Sequence, residues 1–220
     1  MAEGNAGSEA PFLHQYFGEV QTFANNLTSD FEAMMAMAMD PDAEKKIKEK
    51  HAELKEKCAP LLEQSFNHHN PSGSGTLSKE EADVFFAHLV HEEGDFIKAV
   101  ASSVMANVIA GMLQMLAGMV PPEQRPEVEA QIRAQMKKAQ DQTAVEVAKA
   151  SADYEANTAE RNLAAFAVID VDKDGSIQKS EFVAAMDFDG EKANEFQKAL
   201  GFDGGKIGGG KGEGKGCPMQ

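Results

Sequence analysis

Tryptophan is absent from the 220 residues, and tyrosine and cysteine occur only twice each. Two cysteines, Cys58 and Cys217, cannot staple a disulfide framework, which sets aside the small secreted scaffolds. Positive charge is in deficit: 21 Lys and Arg face 36 Asp and Glu, a formal net charge of -15. Phosphate backbones would be repelled, so nucleic acid is not an expected partner, whereas cations are. The first residues, MAEGNAGSEAPFLHQYF, lack a basic stretch followed by an apolar core. No secretory signal is therefore read there, and the cytoplasm is the expected location. Neither a nucleophile elbow nor a Cys/His catalytic spacing occurs, so an enzyme is not expected.

What is present favours helix. Ala, Glu, Lys, Gln and Met are plentiful, Met reaches 12, and β-branched runs are few. Residues 1–10 read as a disordered N-terminal tail and 201–220 as a flexible Gly/Lys-rich C-terminal tail. Between them, 11–200 reads as an all-α domain. Asp40-Pro41-Asp42 looks like a helix start, and Pro60 is expected to kink or end the helix that follows. Ser78 followed by Glu81 has the spacing of a capping box for the next helix. Ala99 to Val120 holds 22 residues without a charge. Ser103, Asn107, Gly111, Gln114 and Gly118 form one polar stripe along it, so a largely buried helix is expected rather than a membrane span. Val128, Ile132, Met136, Ala139 and Thr143 make a weaker stripe suited to packing.

The chemistry lies in DVDKDGSIQKSE, Asp170 to Glu181. A hard divalent cation needs six to eight oxygens supplied by a loop that curls around it. Places one, three and five hold Asp170, Asp172 and Asp174. Gly175 at place six allows a positive φ for the sharp turn. Ser176 offers its backbone carbonyl, Gln178 acts directly or through water, and Glu181 closes the cage from the exiting helix. Phe166, Ile169 and Phe182 flank the loop, and Ile177 points to the core. This pattern resembles the EF-hand superfamily over roughly residues 160–190. The resemblance implies calcium as cofactor, helix-loop-helix units, and the six residues from Asp170 to Glu181 as the metal ligands.

NPSGSGTLSKEE, Asn70 to Glu81, repeats the skeleton with Gly75, Leu77 and Glu81 in register and Phe66 ahead of it. Its ligand places hold Asn70, Ser72, Ser74, Thr76, Ser78 and Glu81. One carboxylate replaces four, so this degenerate loop reads as a structural or very weak second site. Pro71 and Gly73 are unusual in it. Between Glu81 and Asp170 lie 88 residues. A helical insertion at 95–160 would let Leu77 meet Ile177. The alternative gives each loop its own decayed neighbour, at Asp40–Glu44 or Asp203–Ile207.

Cys217-Pro-Met-Gln fits the C-a-a-X prenylation pattern, with Lys206, Lys211 and Lys215 before it. That makes Cys217 a lipidation candidate and peripheral membrane association an expectation to test. His68-His69 and His88/His91 beside Glu92 and Glu93 could suit zinc, but surface histidines are the plainer reading. The functional expectation is a calcium sensor acting on an unidentified protein target. A calcium buffer, or a helical scaffold or membrane-associated protein with structural calcium, is the alternative.

Overall fold

The computed structural model describes residues 10–29, 40, 42–187 and 191–202. Most of both expected tails, the Met34–Met39 segment, Pro41, the Asp203–Ile207 stretch and Cys217 lie outside the described residues. Among those described, the order is α1 (Pro11–Thr28), α2 (Ala43–His68), β1 (Thr76–Leu77), α3 (Lys79–Met119), α4 (Arg125–Ala156), α5 (Thr158–Ile169), β2 (Ile177–Gln178), α6 (Lys179–Ala185) and α7 (Glu191–Leu200). The fold is all-α. Ala10 and Phe202, which the sequence assigns to the tails, are both buried.

Each helix follows from local signals that packing then edits. Pro11 opens α1, where a missing N–H costs nothing. Leu13, Tyr16 and Phe17 line one buried face of that helix. Helix α2 runs straight through Pro60 instead of ending there. Leu54, Cys58, Leu62 and Phe66, spaced by four, are all buried, so packing outweighs the one lost backbone bond. At the start of α3, Glu81 N–H donates to Ser78 Oγ at 3.2 Å and Ser78 N–H to Glu81 Oε2 at 2.9 Å. This is the anticipated capping box.

Helix α3 then continues for 41 residues, about 60 Å. Gly94 does not break it, because α4 crosses there: an added Cβ would stand 3.4 Å from Val147 Cγ1. The stripe from Val128 to Thr143 is half-buried and Val147, Ala150 and Tyr154 extend it as a buried face, so it is the packing face. The uncharged segment departs from expectation. Of Ala99–Val120, only Gly111 is buried among the described side chains, and Met115 and Met119 are exposed. The whole of α3 has only α1 and α4 as extensive neighbours, and Asn107 Nδ2 donates to Thr28 Oγ1 at the end of α1, so much of this long helix is left uncovered. By length and composition alone, α3 could cross a membrane.

Candidate metal centre

The two loops meet directly. Strands β1 and β2 pair antiparallel, Leu77 opposite Ile177 and Thr76 opposite Gln178. Both aliphatic side chains are fully buried. Phe66 and Phe182 pack edge to face at 5.4 Å, and Phe85 lies 4.7 Å from Phe182. Phe166 and Ile169, on the helix entering the second loop, are buried in the same core. One helix pair thus flanks each loop, α2 and α3 for 70–81 and α5 and α6 for 170–181.

In the second loop, oxygens of Asp170, Asp172 and Asp174 lie within 4.8 Å of one another. Backbone amides hold them inward. Asp174 N–H and Gly175 N–H donate to the two oxygens of Asp170, each at 3.1 Å. Asp174 Oδ1 accepts from both the hydroxyl and the amide of Ser176 at 2.8 Å. These bonds hold the Asp174 carboxyl below its ordinary range, the Ser176 hydroxyl first. Glu181 reaches back from α6: Oε1 accepts from Val171 N–H at 2.7 Å and Oε2 from Gln178 N–H at 3.0 Å. Gln178 Nε2 donates to Asp172 Oδ2 at 2.8 Å, so its donor end, not its oxygen, faces the aspartates. Gly175 sits at φ 86° as the turn requires, and Lys173 at φ 60°. The donors are all oxygen and mostly anionic, which suits a hard cation such as calcium and not a thiolate-seeking one.

Residues 163–186 match the family model described as EF hand. This segment of the chain is an EF hand. No curated protein and no solved structure matches it. The match spans this loop, α5 from residue 163 onward and all of α6, and the EF-hand family is one of calcium-binding motifs.

The first loop of this EF-hand protein keeps the frame and changes the filling. Gly75 has the same φ of 86° as Gly175, and Gly73 at φ 67° occupies the place where Lys173 is left-handed. Gly73 is therefore the residue best suited to that place rather than an oddity. Ser72 Oγ donates to Asn70 Oδ1 at 2.9 Å, and Ser74 Oγ donates to the Thr76 carbonyl at 2.6 Å. Hydroxyl protons occupy lone pairs that a cation would otherwise take. Glu81, at the closing place, accepts from Ser72 N–H at 3.2 Å as well as from Ser78. The Ser78 amide bond and then the Ser72 bond pull its carboxyl down to about 2.

One of the histidines read as surface proves otherwise, and the two glutamates beside the others are buried as well. His69 is buried, and Nδ1–H donates to the Ser65 carbonyl at 2.8 Å while Nε2 accepts from His88 at 3.0 Å. Burial lowers it to about 4. Glu92 is buried and bonded to His14 on α1 at 3.0 Å. Glu93 is buried with Oε2 unpartnered, and burial pushes it up to about 8. Among the described residues, Asp170, Asp172 and Asp174 are the one group of three ligand-type side chains close enough to share an ion, and the histidines form none. Nothing in the run HEEGD marks Glu93 as a core position, except that it falls one turn after Leu89 and Val90.

Proposed function

We propose that this EF-hand protein is a cytoplasmic calcium sensor acting on a protein target, with 170–181 as its competent site. The convergence of Asp170, Asp172 and Asp174 on one point carries the reading. Bound calcium supplies a divalent charge that four carboxylates can share. Asp170, Asp172, Asp174 and Glu181 would hold the ion, with Glu181, which accepts from the amides of Val171 and Gln178, closing the site. Because Glu181 stands in the first turn of α6, a change of its partners would be passed to the helix that packs through Phe182 on Phe66 and Phe85. Loop 70–81 needs no ion to hold its shape and presents Leu77 to Ile177 as a fixed abutment.

Calorimetric titration tests this. One strong calcium site is expected, lost in Glu181→Gln and retained in Glu81→Gln; two equal sites would overturn the division of labour. Calcium-dependent retention on a hydrophobic resin separates a sensor from a buffer. A second reading, a membrane-associated helical protein with structural calcium, is favoured by the exposed apolar half of α3. Calcium-independent flotation with lipid vesicles would support it. Flotation that depends on lipidated Cys217 would assign attachment to the tail instead.

A further inference from the structure

Tyr16 is 3% exposed, and a buried phenol needs a hydrogen-bond partner. Its hydroxyl donates to the Met186 carbonyl at 2.7 Å. Met186 caps the C-terminal end of α6, where backbone carbonyls lack helical partners. Helix α1 is therefore tied to the far end of the helix that begins at Glu181. Leu13 and Phe17 fill the same face as Tyr16, and Phe17 packs on Phe96 of α3 at 5.0 Å. Two polar contacts set the register: His14 with Glu92 on α3, and Glu19 with Lys57 on α2.

The seat beneath α1 is imperfectly filled. A cavity of about 50 Å³ lies between Tyr16, Phe17, Leu89, Glu93 and Met186. Glu93 Oε2 has no partner there. Interiors close-pack where nothing has to move, so an orphan carboxyl beside a void marks a contact held below its best strength.

We infer that this seat is the target-binding surface, that its partner is an amphipathic helix of α1's own design, and that α1 is the resident competitor. The partner helix carries an aliphatic or aromatic residue at i, i+3 and i+4, as Leu13, Tyr16 and Phe17 do. It adds a basic residue at i+1 for Glu92 and an acidic one at i+6 for Lys57, the places of His14 and Glu19. A shift of α6 at Glu181 carries the Met186 carbonyl away from Tyr16 and frees α1. This rests on the sensor reading and adds where the target binds and what displaces it.

The test uses the full chain. Amide exchange of residues 13–23 is followed with and without saturating calcium, beside calorimetry on the same sample. Exchange on α1 is expected to rise at least about tenfold with calcium while the α5 amides do not follow. A fluorescent peptide of residues 11–28 is then titrated to several times the roughly millimolar effective concentration of a tethered segment. It is expected to bind the calcium-loaded chain only, and a peptide with Leu13→Ala, Tyr16→Ala and Phe17→Ala is expected not to bind. Calcium uptake with α1 exchange unchanged or slowed overturns the inference and leaves the sensor reading standing. Binding of both peptides alike, or of neither, also overturns it. An absence of calcium uptake removes the sensor reading itself.

Discussion

Replacing Glu93 with Met should stabilise the protein at neutral pH, by an amount that grows with pH. Glu93 is fully buried, Oε2 has no partner, and burial raises its carboxyl from an ordinary 4.5 to about 8. Tyr16, beside it in the cavity, gives no relief, because its hydroxyl donates to the Met186 carbonyl. Between pH 4.5 and 8 the unfolded chain has released a proton that the folded chain retains. Stability due to this group is thus fully present below about 4.5 and falls as pH rises, at about 1.4 kcal/mol per unit. By pH 7 the loss is about 3 kcal/mol. Met has similar length and no charge, and also fills part of the cavity. Urea unfolding of both proteins at pH 5, 6, 7 and 8, at fixed calcium, gives the comparison. The advantage of Glu93→Met should be small at pH 5 and widen by roughly 1 kcal/mol for each unit above it. A difference that stays flat across the four pH values would refute the reasoning, because it would mean that Glu93 ionises in the folded core as readily as in water.

Two other substitutions address the loops. Asn70→Asp, Ser72→Asp and Ser74→Asp together restore the missing charge to a frame that already has the right turns. The triple variant should take up a second calcium in calorimetry and lose thermal stability without it; a single site would show that the frame itself is wrong for the ion. Leu77 is fully buried against Ile177, so Leu77→Ala should cost about 2–5 kcal/mol in denaturant unfolding. It should also weaken calcium binding at 170–181 through the shared strand pair, and unchanged affinity would mean that the loops are mechanically independent.

Local patterns carried the centre of the molecule. The alternation of Asp170, Asp172 and Asp174, the turn at Gly175 and the closing Glu181 are read within twelve consecutive residues, and the folded loop uses all of them. The capping box at Ser78 and Glu81 is legible for the same reason, since both partners lie within one turn. Helix ends were less legible wherever long-range packing outvotes a local breaker. Pro60 stays inside α2 because four buried side chains hold it there, and Gly94 stays inside α3 because α4 passes over it. The uncharged run from Ala99 to Val120 was read as buried because composition records what a helix could bury, not how many neighbours it has.

Sequence alone determined that there would be an acidic twelve-residue loop, a second loop stripped of charge, and helices around both. These are properties of residue type at short spacing. Only the tertiary structure decided that Leu77 meets Ile177 across 88 intervening residues, that Tyr16 ties α1 to the end of α6, and that Glu93 lies in the core. Each depends on which helix faces came together, and that choice is made by the summed burial of distant side chains, which no short stretch of the chain contains.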